Sequence, residues 1–143
     1  MFKKTLLPIL LLFIASIQAE QHTVGNYTVH YNLLNSSFIE PQIATQYRIK
    51  RSRNIALLNI SVIEKSNTPN GTPVISNIFG HGTSLAGQVK ELAFKEIKAG
   101  DAIYYIATFP INNGERLNFD LKVQPNKLGK LIPIKFKKQV FID

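Results

Sequence analysis

The chain has no cysteine. That excludes disulfide staples, thiol nucleophiles and cysteine-based metal or redox sites, and it rules out a lipid-modified cysteine after an export signal. Histidine is scarce, with only His22, His30 and His81. No His-x-His or His-x-x-x-His pair exists, so spacing gives a three-histidine metal site no support, while it leaves histidine–carboxylate ligation open. Acidic residues number 9 against 17 basic ones. Outside the N-terminus, no apolar run is long enough to cross a bilayer, which takes about 20 residues.

The one long apolar run is at the start. Lys3 and Lys4 precede Leu6 to Ile14, and small Ala19 stands just before a polar stretch that opens at Glu20. This order of parts is that of a cleaved secretory signal. Thr5 to Ile17 would reach roughly 20 Å as a helix, short of a bilayer core of about 30 Å. Residues 1–19 are therefore read as a signal peptide and residues 20–143 as a single domain, large enough to bury a core without disulfides.

The basic excess falls in two places. Arg48, Lys50, Arg51 and Arg53 follow a short helical pattern, and Lys127, Lys130, Lys135, Lys137 and Lys138 crowd the C-terminal tail. Either can meet an anionic surface or an acidic partner, and lysines on a last strand can simply protect a sheet edge. In an exported protein nucleic acid is not the expected partner. Arg51 is expected to hold its own loop together, tied to Glu40 or Asp120.

Period-two alternation dominates the rest. Tyr27, Val29 and Tyr31 open the first strand, which leaves His22 in a loose N-terminal stretch. A helix of about two turns follows Pro41, a residue suited to a first helical turn. Ala56, Leu58, Ile60 and Val62 give the second strand a wholly apolar face. Further strands are expected at Val74 to Phe79, ending in a Gly80-His81-Gly82 loop, and at Gln88 to Ile97. The last three are expected at Ala102 to Phe109, after an Asn112-to-Glu115 hairpin at Leu117 to Gln124, and at Leu131 to Ile142. About seven short strands with brief turns predict an all-β antiparallel sandwich with one short helix after the first strand.

Several of these segments together resemble the DUF4426 family of bacterial proteins of unknown function. They are Gly25-Asn26-Tyr27 with Val29-His30-Tyr31-Asn32, Tyr47 with Ile49, Arg51 and Ser52, Ala56 to Val62, Gly100-Asp101-Ala102-Ile103-Tyr104-Tyr105, Phe119-Asp120, and Val140-Phe141-Ile142-Asp143. The resemblance implies an immunoglobulin-like sandwich in the Gram-negative periplasm and brings no activity with it. Against that background the Asn-x-Ser/Thr patterns at Asn26, Asn35, Asn59 and Asn70 are chance matches.

No constellation in the sequence carries chemistry. Nothing resembles a nucleophile elbow or a phosphate-cradling glycine loop. Glu91, Glu96, Asp101 and Glu115 read as solvated charges. No catalytic residue, metal ligand or cofactor is expected. The leading expectation is a non-enzymatic interaction or accessory module, with Arg48, Lys50, Arg51, Arg53, Lys130, Lys135, Lys137 and Lys138 as its candidate surface. The partner would be an envelope protein or an anionic surface. Two other readings stand beside it: an electrostatic binder of the envelope through the lysine-rich tail, and a hydrolase using His30 or His81.

Overall fold

The computed structural model describes residues 20–142; the expected signal peptide and its cleavage site lie outside them. Ten strands form two antiparallel sheets. The larger sheet contains β1 (Glu20–Val24), β2 (Tyr27–Asn35), β3 (Ile55–Glu64), β4 (Thr72–Pro73), β7 (Lys95–Ala99) and β8 (Ala102–Pro110). Its order is β1-β2-β3-β8-β7, with β4 pairing the end of β3. The smaller sheet, in the order β10-β9-β5-β6, is built from β5 (Ser76–Ser84), β6 (Val89–Leu92), β9 (Arg116–Pro125) and β10 (Ile132–Gln139). The expected all-β sandwich is present, with more and shorter strands than the alternation suggests.

The two sheets bury the residues that alternate inward. Ala56, Leu58, Ile60 and Val62 of β3 are at most 1% exposed, as their spacing requires. Opposite them lie Leu117, Phe119, Leu121 and Val123 of β9. An aromatic run crosses between the sheets, with Tyr31 and Phe136 centroids 4.6 Å apart, Phe136 and Phe119 4.7 Å apart, and Phe119 and Phe109 5.8 Å apart. Phe109 and Phe119 are buried, each stabilising the fold by about 2 kcal/mol, while Tyr31 and Phe136 pack partly buried against them.

A second apolar layer covers the outer face of the larger sheet. The helix α1 (Pro41–Tyr47) has proline in its first turn and ends at Arg48, whose φ of 59° is left-handed. Its Ile43 and Ala44 pack with Ile39 and Ile49 on Leu57, Ile97, Tyr104 and Ile106. This is why Leu57 and Ile106, on the face of β3 and β8 that points away from the sandwich, are also buried. The apolar character of both faces of β8 is thereby explained.

Four expected features are corrected. Gly80-His81-Gly82 is not a loop, because β5 runs straight through it. A side chain at Gly80 would collide with the Asp120 carbonyl oxygen and sit 2.8 Å from the Leu121 Cα, while one at Gly82 would meet the Phe119 ring at 2.9 Å. These glycines serve close approach to β9 rather than a turn. Gln88 to Ile97 is not one strand, since β6 and β7 belong to different sheets and the chain crosses over at Ala93-Phe94. The Asn112–Glu115 turn is likewise a crossover between sheets, not a hairpin, because β8 and β9 do not pair. Finally, the N-terminal stretch is an ordered strand, β1, whose His22 lies opposite Val29 of β2.

Candidate interaction surface

The loop between α1 and β3 is fixed from within. Arg51 donates from Nε to the Ile39 carbonyl at 2.6 Å and from Nη2 to the Ser37 carbonyl at 3.0 Å. Its guanidinium fork is thus spent on backbone oxygens, not on Glu40 or Asp120 as expected. A second clamp runs beside it, in which Ser36 Oγ donates to the Ser52 carbonyl at 3.0 Å and accepts from the Ser52 N–H at 2.9 Å. Asn35 adds a bond from Nδ2 to the Arg53 carbonyl at 2.8 Å. Lys95 of β7 reaches the Tyr47 carbonyl at 2.6 Å and holds the helix C-terminus to the sheet. Arg48, Lys50 and Arg53 remain exposed on this clamped frame.

The lysines of the tail do not form one stripe. Lys130 lies in the connection between β9 and β10, at the other end of the sandwich. The intervening β3 starts beside the arginine loop and ends at Glu64, which accepts a bond from Asn126 Nδ2 at 3.4 Å. A strand of that length separates the two ends by roughly 30 Å. Lys135 and Lys137 are exposed on the outer face of β10. Lys135 stands opposite Asp120 in the register. The Asp120 carboxyl is held below the usual range by its bond to Lys122 and, further, by the charges of Lys122, Lys135 and His81. Lys138 falls on the inward-facing side of β10 and pairs with Glu20 of β1 at 3.2 Å. It closes the gap between two edge strands of opposite sheets.

The histidines are dispersed. His22 and His30 occupy opposite faces of the β1–β2 pair, and His81 lies on the smaller sheet. His30 is half-buried, and desolvation lowers its pKa. It stands opposite Ser61 of β3, but no hydrogen bond joins the two among the described residues. His81 sits between Glu91 and Asp120 in the register. Among the described residues no three His, Asp or Glu side chains converge in a way that could hold a metal ion.

Two polar arrangements escaped the sequence. Lys90 points inward from the edge strand β6, bonds the Pro110 carbonyl at 2.7 Å and pairs with Glu115 at 3.4 Å, with both side chains under 10% exposed. Glu115 also accepts from the Asn112 N–H at 3.0 Å, so it is a buried anchor of the crossover rather than a solvated charge. On the outer face of the larger sheet, Asn59 Nδ2 donates to Asn32 Oδ1 at 3.3 Å, and both residues are buried. Also missed was the apolar tip formed by Val24, Leu128 and Leu131, all strongly exposed. A leucine inside the turn Pro125 to Gly129, where polar residues are usual, was the available signal.

This architecture has solved counterparts. A DUF4426 family protein from Pseudomonas aeruginosa PAO1 is 33% identical, with 89% of this chain and 98% of that chain covered and a TM-score of 0.79. FetP from uropathogenic Escherichia coli strain F11, recombinantly expressed in the periplasm of E. coli BL21(DE3), is 12% identical with a TM-score of 0.63, over 87% of this chain and 95% of that one. A copper-bound variant of FetP is 11% identical with a TM-score of 0.59, over 87% and 91% of the two chains. These last two share the fold alone. Among the described residues no three His, Asp or Glu side chains converge, so no copper-ligand set is assembled there. No curated protein matches the chain. The model of the domain of unknown function DUF4426 matches residues 21–143, and the chain belongs to the DUF4426 family.

Proposed function

We propose that the protein is an exported, periplasmic accessory module that binds an acidic envelope partner and catalyses nothing. The observation that carries this reading is the arginine loop. Arg51 is consumed in fixing the backbone, and the fixed backbone presents Arg48, Lys50 and Arg53 outward from one short segment. A rigid cationic loop at the end of a sandwich loses little entropy on binding and favours carboxylate or phosphate partners.

Export is supported by the N-terminal pattern of residues 1–19 and by the likeness of the fold to FetP. Among the described residues no helix is long and apolar enough to cross a membrane. Cell fractionation with N-terminal sequencing tests export. A periplasmic product beginning near Glu20 is expected, and an intact cytosolic chain would sink the reading. A photo-crosslinker placed at Lys50 tests recognition. A discrete envelope adduct is expected that disappears in the Arg48→Glu/Arg53→Glu variant, and an adduct indifferent to those charges would argue against the loop.

A further inference from the structure

The end of the sandwich opposite the arginine loop is apolar where a connecting loop is ordinarily polar. Leu128 is 74% exposed, Leu131 43%, Val24 42% and Ile75 38%. Val24 and Leu128 line one groove of about 660 Å³ with Tyr27, Pro125, Lys130 and Ile132. Leu131 stands between two of those residues in the chain, and the Ile75 carbonyl accepts from the Asn126 N–H at 2.7 Å. Four large aliphatic side chains thus gather at one end, with Lys127 and Lys130 interleaved among the leucines. Both lysines are exposed, and neither takes part in an ion pair among the described residues.

The leucines cannot simply fold down onto the core. Asn126 and Lys127 both have φ of 58°, a left-handed pair of non-glycine residues. That backbone is held by the Lys127 N–H to the Gln124 carbonyl at 3.1 Å and the Leu128 N–H to the Pro125 carbonyl at 3.2 Å. Asn126 Nδ2 bonds the Tyr27 hydroxyl at 2.9 Å, and Gln124 Nε2 bonds the Gly129 carbonyl at 3.1 Å. The tip is therefore a fixed shape. Non-glycine residues hold a left-handed backbone only where the surroundings over-determine it, and these four hydrogen bonds do so here.

We propose that this tip docks on an anionic lipid bilayer. Leu128 and Leu131 enter the boundary between headgroups and acyl chains, and Lys127 and Lys130 meet headgroup phosphates. The alternation of apolar and cationic residues at the extreme end of the molecule favours a planar, negatively charged, apolar-cored surface. A bilayer supplies both chemistries at the required depth. The proposal rests on the export reading only for where the bilayer is met.

Vesicle co-sedimentation of the purified chain from Glu20 onward, which carries all ten strands of the described residues, tests docking separately from fractionation. The probes are phosphatidylethanolamine vesicles with phosphatidylglycerol and, as the neutral control, phosphatidylcholine vesicles. Binding to the anionic vesicles that weakens as salt rises to about 0.5 M is expected. Leu128→Asp/Leu131→Asp should lower partitioning roughly tenfold or more. Lys127→Ala/Lys130→Ala should lower it by a similar factor and flatten the salt dependence. Lys135→Ala/Lys137→Ala, on the outer face of β10, should leave it nearly unchanged. All these side chains are exposed, and circular dichroism checks that the variants fold. No binding to anionic vesicles, or full binding by the leucine variant, overturns the proposal. So does a concentration-dependent dimer, seen by analytical ultracentrifugation, that the leucine variant abolishes, because a second copy would then cover the tip.

Discussion

The Tyr105 hydroxyl, carried by β8 of the larger sheet, accepts a hydrogen bond from the Ser76 N–H at the start of β5 in the smaller sheet, at 2.8 Å. It also donates to Glu96 Oε1 on the neighbouring β7 at 2.7 Å. One phenol thus joins both sheets and three strands. Ser76 is only 3% exposed, so its buried N–H needs an acceptor, and the phenol supplies it.

Tyr105→Phe therefore strands the Ser76 N–H in the interior and should cost about 1–3 kcal/mol, read from urea unfolding midpoints. A pH signature accompanies it. Burial first, and then the Glu96 bond, push the phenol up to about 12 from 10.0. Above pH 10 the unfolded chain releases this proton while the folded chain keeps it. The contribution is complete below pH 10 and is lost as pH rises toward 12. Tyr31 and Tyr104 are raised too, with burial the leading cause in each, so the alkaline loss persists in Tyr105→Phe but with a shallower slope. An unchanged slope would show that the phenol titrates as it does in the unfolded chain.

Lys90 and Glu115 make a second prediction. Removing one member of a buried pair leaves the other charge uncompensated, at about 3–5 kcal/mol. Lys90→Met and Glu115→Gln should each destabilise by amounts in that range. The double variant should recover much of the loss, because position 90 then brings no charge inward and the new amide at position 115 can still accept from the Asn112 N–H. Denaturant unfolding of the four proteins gives the coupling directly. Strict additivity would mean that the two side chains act independently.

The parts of this structure legible in the sequence are those set by local period. The inward face of β3, the short helix opened by Pro41 and the alternation of β9 follow from spacing alone, and all stand where spacing puts them. What escaped depends on partners distant in the chain. Nothing local tells that residues 93–94 carry the chain from one sheet to the other, or that Lys90, on a short and otherwise ordinary strand, finds Glu115 across the crossover. Gly80 and Gly82 read as turn residues because glycine serves both turns and close approach, and only β9 decides between them. The cationic residues were visible as a composition, but their separation into a clamped loop, an outer strand face, an inter-sheet pair and an apolar tip is a property of the register.

Gly80 supplies a third prediction. With φ at 154° and the Asp120 carbonyl against the position of a Cβ, Gly80→Ala must push β9 away from β5. A loss of roughly 3 kcal/mol or more is expected. Amide exchange should quicken in β5 and β9 before it does in β2 and β3, which belong to the other sheet. A variant as stable as the parent would mean that β5 can shift without cost, against the close approach seen here.

Arg51 separates holding the loop from recognising a partner. Its two bonds run to carbonyls twelve and fourteen residues back in the chain, at Ile39 and Ser37. Lysine can replace the charge but not the planar fork that reaches both oxygens at once. Arg51→Lys should therefore lose about 1–2 kcal/mol and loosen the loop, with faster exchange at Ile49 and Ser52, although net charge is unchanged. Arg48→Glu/Arg53→Glu reverses two exposed charges and should move stability by no more than about 0.5 kcal/mol for each site. If the loop recognises an acidic partner, that double reversal abolishes binding in a fully folded protein, whereas Arg51→Lys weakens it in proportion to the lost order. Equal binding losses with equal stability losses in the two variants would show that the exposed charges hold the fold rather than meet a partner.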